Sequence, residues 1–586
     1  MLLLIIGLAM SLLPPARAAE RLVDRPVAWT EDDRRDIPKP KERDPDLLWD
    51  GIDQTFFEPV SRITDPGRIL RRLSVPFGND HVISAINLNA LDEVPNSAWF
   101  TNRIGLRPMT PEEVANGPGT TYGAESINGP DTTGAWTVIR AKTEGVTPGF
   151  NIRDARGHVY VIKFDDPRYP HMASAANAIT GRLLHAAGYN VPADYVVKFD
   201  RARLHLGDGV KFTQPDGTKR PMVPADLDSI IARVPPEADG RWRAIASRYL
   251  PGEPVGPFDW EGRRKDDPND HIDHEDRREL RGFRMFAAWL AHFDTKQGNT
   301  LDMWVDAAGR KALRHYFIDF ASTLGTGATG PCRAYSYEYS FDVPAIGGRM
   351  LGLGFHEDKW RQLEIPEGLT EVGYFQSDIF DPLEFKPLTP NAAYANFTER
   401  DGYWAAKIIS AFTDEQLAAA VAVGQYQNPE AARWITQMLA ERRDKIARLW
   451  FDRVPPLDYF RVDVEWVPGV VMAILAVAEP IPEPSPSGTL QFHDLGAERD
   501  LYPGTAARYR ARGRCVDADR DGGDWSRWHE SATTRMAIED LVPPIKSGAN
   551  RPFLAFEVQV DRGSGWSRSI KVFASRTGNG VIAVER

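Results

Sequence analysis

The sequence predicts an α+β protein whose strands and helices come in blocks. Three observations carry this. Trp136 to Phe199 reads as three strands, a helix and a returning strand, Glu279 to Trp450 is dominated by helical spacing, and after Pro455-Pro456 the pattern returns to strands. A chain of 586 residues with 42% hydrophobic and 26% charged residues is globular, and its length implies roughly three or four domain-sized units.

The N-terminus comes first in the chain. An apolar run from Met1 to Leu13, then Pro14-Pro15 and Ala16-Arg17-Ala18, reads as a secretory signal peptide over residues 1–18. That predicts an exported protein, periplasmic or extracellular. Val470 to Val477 falls well short of the ~18 apolar residues of a spanning helix, so no transmembrane anchor is expected after signal cleavage. Residues 19–132 are rich in Pro, Asp and Arg with short apolar clusters such as Leu47-Leu48-Trp49, an extension expected to wrap another domain.

Within the strand block, Trp136 to Lys142 alternates, and Phe150 to Arg153 and Val159 to Phe164 flank the turn Asp154-Ala155-Arg156-Gly157. A three-stranded antiparallel start follows. Met172 to Ala187 carries an apolar stripe at Ile179, Leu183, Leu184 and Ala187 and stops at Gly188, so it is a helix; Val191 to Phe199 and Trp242 to Leu250 are strands. Glu279 to His292 is a second helix, with Leu280, Phe283, Phe286, Ala287 and Leu290 on one face.

Thr300 to Val305 and Leu313 to Phe320 form a hairpin around Asp306-Ala307-Ala308-Gly309, which brings Asn299 and Asp319 to one edge. Further helices are expected at Trp404 to Phe412, Asp414 to Val423 and Pro429 to Trp450. Beyond the Pro-rich stretch Pro480 to Ser487, segments near Thr489 to Phe492, Ala506 to Arg510, Phe553 to Val560 and Ser569 to Ala574 read as a β-sandwich over 455–586.

Charge and cysteine usage narrow the function. A net charge of −11 gives nucleic acid no electrostatic support as a partner. Cys332 and Cys515 are the two cysteines, too few for a cysteine metal site; a disulfide between them stays open.

Two strings carry the chemistry: His292-Phe293-Asp294-Thr295-Lys296-Gln297-Gly298-Asn299 and Phe317-Ile318-Asp319-Phe320-Ala321-Ser322-Thr323-Leu324-Gly325. The second resembles the metal-binding segment of phosphatidylinositol 3- and 4-kinases, and the first is similar to the catalytic loops of HipA-like and CotH-like kinases. The stretch Asp266 to Arg281 resembles a group of exported bacterial proteins of uncharacterised function. The kinase resemblance covers about Trp136 to Trp450 and implies a two-lobed, protein-kinase-like domain over 133–454, with a small lobe at 133–252 and a large lobe at 253–454.

By that resemblance, Asp294 orients or deprotonates an acceptor, Asn299 and Asp319 bind Mg²⁺, and Lys163 in Val161-Ile162-Lys163-Phe164 neutralises the phosphates of ATP. Gly145 and Gly149 let backbone amides approach those phosphates, although Glu144 and Pro148 depart from a Gly-rich signature. The helix after Lys163 lacks the Glu that holds a kinase lysine. Ser174 and Asn177 occupy that window, with Asn177 taken as a cofactor contact and Asp165 or Asp166 as substitutes for the carboxylate. The acceptor is an unidentified protein or small molecule.

Other readings use the same residues. Asp294 and Asn299 also suit turn caps, and a strand lysine such as Lys163 is commonly a surface residue. Asp319, after a buried run, requires a cation or several donors. The implied function is a Mg²⁺/ATP-dependent phosphotransferase or nucleotidyl transferase. A pseudokinase acting as an envelope binding module is the alternative, and a hydrolase with a metal on His271, His274, Glu275, His292 and Asp294 is a further one. The sequence has no His-Glu-x-x-His string, and the run around His271 and His274 suits a solvated or salt-bridged segment.

Overall fold

The computed structural model describes residues 21–22, 25, 27, 35–44, 83–120, 129–141, 149–213, 218–307, 309–327, 329–351, 357–465, 487–543, 551–576 and 580–586. The expected signal peptide and residues 480–486 of the Pro-rich stretch lie outside them. The described residues form a mixed α+β structure with several sheets.

Six strands make the first sheet: β1 (Trp136–Ala141), β2 (Gly149–Arg153), β3 (Val159–Lys163), β4 (Asp194–Phe199), β5 (Leu204–Leu206) and, after the small β6–β7 hairpin (Lys211–Thr213 and Lys219–Pro221), β8 (Trp242–Arg248). Their order is β4-β8-β3-β2-β1-β5, antiparallel throughout except where β5 joins β1 in parallel. The alternation seen in the sequence has a physical use on both faces. Phe150, Ile152, Tyr160, Ile162, Ala244 and Ala246 share a core with Leu227, Ile230 and Ile231 of the short helix Pro224–Ile231, while Val196 and Ile245 pack on Ala178 of the helix Met172–Ala187.

In chain order the helices used below are α1 (Met172–Ala187), α2 (Arg278–Leu290), α3 (Glu399–Ile409), α4 (Asp414–Ala422) and α5 (Pro429–Phe451). Every residue of α1 except Ala173 is buried, which suits its small, apolar composition. It ends at Gly188, whose φ of +133° would strain any side chain and where a Cβ would lie 2.2 Å from Phe100 Cζ. Helices α1 to α5 contribute to one large core with Trp99, Phe100 and Ile104 of the N-terminal extension.

The expected wrapping of this extension is visible where it is described. Ile37 N donates to Lys311 O, Arg43 N to Val255 O and Leu22 N to Ala518 O, so the extension touches distant parts of the chain. In α2, buried Arg278 pairs with Asp92 at 3.0 Å and with Asp401 at 3.2 Å, as unpaired buried charge would be costly.

After β9 (Glu253–Pro254), strands β10 (Thr300–Ala307) and β11 (Arg310–Phe317) form the predicted hairpin, in continuous register from Thr300↔Phe317 to Ala307↔Arg310. The second strand ends three residues earlier than the sequence indicates. Asp319 adopts a left-handed backbone, φ +63°, which leaves the ladder after Ile318 N donates to Asn299 O at 3.0 Å.

C-terminally, β12 (Leu457–Glu465), β13 (Ser487–Asp494) and β16 (Arg535–Ala537) form one antiparallel sheet; β14 (Arg508–Val516), β15 (His529–Ser531), β17 (Phe553–Asp561), β18 (Ile570–Ser575) and β19 (Val581–Glu585) form another. Leu490 and Phe492 of the first share a core with Phe556, Val558 and Val572 of the second. Cys332 is exposed and Cys515 buried, and no disulfide joins them.

Candidate active site

Lys163 is the last residue of β3 and pairs in register with Gly149 on one side and Ile245 on the other. Its Nζ lies 3.1 Å from Asp319 Oδ1. A residue from the central sheet and one from the end of a remote hairpin therefore meet as an ion pair.

Asp319 is held there by its neighbours. Asn177 of α1 accepts from Phe320 N at 2.7 Å through Oδ1, and Thr323 Oγ1 lies 2.8 Å from Thr180 Oγ1, also on α1. Leu324 N donates to Leu290 O at 2.7 Å, which ties the same loop to the end of α2. The left-handed turn at Asp319 is thus fastened on both sides.

On leaving α2 the chain reverses through Ala291, φ +50°, and enters the Asp294 loop. Asn299 Nδ2 donates to Asp294 O at 2.7 Å and closes that loop. Lys296 Nζ donates to Asp294 Oδ2 at 3.0 Å, while Asp294 Oδ1 is a buried carboxylate oxygen with no hydrogen-bond partner. His292, just before it, is buried, and desolvation pushes its pKa down to about 4 against the pull of Asp294 and Asp319, so it is neutral at neutral pH. Lys163 and Asp319 thus meet directly, while Asn299 is bonded to the Asp294 backbone and, through its own carbonyl, to Ile318 beside Asp319.

Asn177 needs a correction. It is buried and engaged at both ends of its amide, the nitrogen donating to Asp194 Oδ2 at 2.8 Å while the oxygen holds Phe320 N, so it serves the fold and not a cofactor. Its work is to join β4, α1 and the Asp319 loop. Gly149 opens β2 beside Lys163, whereas Gly145 lies outside the described residues.

The substitutes proposed for the missing helix carboxylate are also occupied elsewhere. Asp165 accepts from Ser174 Oγ at 2.6 Å and from Arg243 at 3.1 Å, and Asp166 pairs with Arg168 at 2.8 Å. Besides Asp319, which pairs with it directly, the Lys163 ammonium acts on Asp194. In the sheet register Lys163 pairs with Ile245, Ile245 with Val196, and Asp194 lies two residues along from Val196, so Asp194 shares the α1-covered face with Lys163. Sequence reasoning missed it because β4 follows the helix that normally supplies this group. Lys296 was missed too, although its position two residues after Asp294 was a signal.

Burial raises the Asp194 carboxyl to about 6, against the restraint of Ser247, Arg182, Lys163 and Asn177. Its folded pKa lies above the ordinary value, so its proton-linked contribution to stability is complete below about pH 4 and is lost as pH rises through about 6. The stability of the wild type relative to Asp194→Asn is expected to fall by roughly 2 kcal/mol from about pH 4 to about pH 7. Denaturant melts of both proteins across that range measure it; a difference that does not change with pH would refute this account.

The histidine cluster does not assemble. His274 bonds Asp270 Oδ2 at 2.8 Å and also Asp259 O, His271 Nδ1 lies 2.8 Å from Asn269 O, and Glu275 accepts from Gly262 N at 2.7 Å. Among the described residues no group of three or more His, Cys, Asp or Glu side chains is placed to hold a metal ion. The Asp266 to Arg281 run is a buried polar network: Arg277 pairs with Asp270 at 3.1 Å, and Arg264 with Asp302 at 3.0 Å.

Comparison with protein-family models, curated proteins and solved structures found no match to this chain.

Proposed function

We propose that this chain is an exported Mg²⁺/ATP-dependent phosphotransferase, or a related nucleotidyl transferase, built on a two-lobed kinase-like domain over 133–454 with a β-sandwich after it. The observation that carries the reading is the 3.1 Å pair between Lys163 and Asp319, beside Asn299 and Asp294. Lys163 comes from the sheet, Asp319 from the end of the hairpin, and Asn299 and Asp294 from the loop before it. Phosphoryl transfer asks a protein mainly for placement of charge around the phosphates, and this set supplies it.

The donor set fits Mg²⁺. Asp319 and Asn299 offer hard oxygen atoms, and the unpartnered, buried Asp294 Oδ1 points to a ligand or cation within its reach. Two carboxylates with nucleotide phosphates are an ordinary Mg²⁺ arrangement, which does not require a protein cage. When bound, the ion neutralises charge on the transferring phosphoryl oxygens.

The chain's own groups do the rest. Lys163 presents its ammonium to the phosphates, and Asp194, on the same face of the sheet, adds negative charge near it. Asp294 orients the acceptor hydroxyl and takes its proton, with Lys296 paired to it at 3.0 Å. Asn177 and Thr180 fix the Asp319 loop to α1, so movement of α1 and of Asp319 is coupled. No helix among the described residues is long and apolar enough to cross a membrane.

The test is a thermal-shift titration with ATP, with and without Mg²⁺ or Mn²⁺. A ligand at about a hundredfold excess over its Kd adds about 2.7 kcal/mol to stability, so a metal-dependent rise of several degrees is expected. A folded protein that shows no rise with any nucleotide would instead be read as a pseudokinase-like binding module.

A further inference from the structure

A second cleft, of about 500 Å³, runs along the β10–β11 hairpin from Asp306 and Ala307 at its turn to Tyr316. Arg103, Arg314 and Tyr316 line it. None of them belongs to the candidate active site.

The cleft's charges do not balance internally. Its acidic groups are already used: Glu253 pairs with Lys39 at 2.9 Å, and Asp306 with Lys311 at 3.5 Å. Arg103 is locked by donating to His185 O at 2.8 Å and Tyr189 O at 3.4 Å, both neutral carbonyls where α1 ends. Arg314 has no carboxylate partner among the described residues. The two guanidinia act on each other, and burial together with Arg314 brings Arg103 down to about 10. Tyr316 lies within electrostatic reach of both and keeps its proton, so it adds an O–H donor.

Two arginines that repel each other across a concave, partly desolvated site need an anion to offset the repulsion. Their planar forks match the oxygens of a phosphate better than those of a monovalent ion. The volume exceeds what a free phosphate fills and leaves Pro118, Val191 and Val305 as apolar lining for the remainder of a ligand. We infer that this cleft is a second binding site, for a small phosphorylated molecule held by Arg103, Arg314 and Tyr316. The site is independent of the proposed phosphotransfer.

Isothermal titration calorimetry of the full chain in EDTA, with glucose 6-phosphate and with inorganic phosphate, tests this; glucose at the same concentration is the control. EDTA silences metal-dependent nucleotide binding, so failure here leaves the proposed function untouched. Saturable binding of glucose 6-phosphate is expected, weakened at least tenfold in Arg314→Gln and Arg103→Gln and unchanged in Asp319→Asn. Arg314→Gln carries the test, because Arg314 pairs with no carboxylate among the described residues and its loss leaves no acidic group there unpaired; Arg314→Lys, which keeps charge without the fork, is expected to fall between. No binding at millimolar concentration, binding that Arg314→Gln leaves intact, or binding lost in Asp319→Asn instead would each overturn the inference.

Discussion

Asp319→Asn is expected to abolish the metal-dependent thermal shift with ATP while leaving the unliganded melting temperature within about a degree. Asparagine is the informative replacement because φ at this position is +63°, a region that Asn adopts at less cost than Ala. The change removes the charge and keeps the backbone. Asp319 is 42% exposed at its side chain, so the loss of its pair with Lys163 has little structural cost. A metal site that loses one of two carboxylates, and a lysine that loses its partner at the phosphates, should weaken nucleotide binding at least about a hundredfold. Retained metal-dependent binding would remove Asp319 from the proposed metal site.

The second large effect concerns stability. Lys407→Met is expected to destabilise the protein by about 3–5 kcal/mol, the usual cost of leaving buried charge without its partner. Lys407, on α3, is buried and pairs with Glu93 of the N-terminal extension and, at 3.1 Å, with Asp458 of β12. Asp458 also accepts from Tyr403 at 3.0 Å and pairs with Arg586 at 2.8 Å. The ammonium thus joins three distant stretches of the chain, and its removal strands Glu93 and part of Asp458 in a dry setting. Methionine keeps the volume of the stem, so the measured loss reports charge and not a cavity. Equilibrium denaturation of both proteins at neutral pH measures it. A loss below about 1 kcal/mol would mean that water reaches this cluster.

Lys407→Met also separates two consequences of the network. The extension reaches the large core through Val94, Trp99 and Phe100, and loss of the Glu93 tie acts on the same segment. Arg278, bonded to Asp92 O and Asp92 Oδ1, fastens the adjacent residue to α2, which leads to Asp294. Damage to this region is therefore expected to lower both stability and nucleotide response, whereas Asp319→Asn lowers only the response.

Local patterns were enough to read most elements that frame the site. The small, apolar run from Met172 to Ala187 is a helix with the bounds its sequence predicts, and the helix expected from Glu279 is displaced by two residues or fewer at each end. Asn299 and Asp319 were also legible as neighbours, since a hairpin joins them and a hairpin's register is local. Even the early end of β11 has a local cause, the left-handed backbone at Asp319.

By itself, then, the sequence determined the α+β order, the hairpin and the residue types that suit phosphate chemistry. Tertiary structure alone decided which of those residues act together. Lys163 reaches Asp319 only because α1 packs between the sheet and the hairpin loop and is bonded to both, through Asn177 to Asp194 and Phe320. The same packing makes Asp194, on a strand that follows the helix, a carboxylate near Lys163, and it uses up Asn177 in doing so. His274 and Asp270 stand four residues apart in a run that reads as polar surface, yet the fold buries them together at 2.8 Å. Period and spacing report which face of an element is buried, whereas a meeting between side chains of different elements depends on how those faces are stacked, and no local pattern records that.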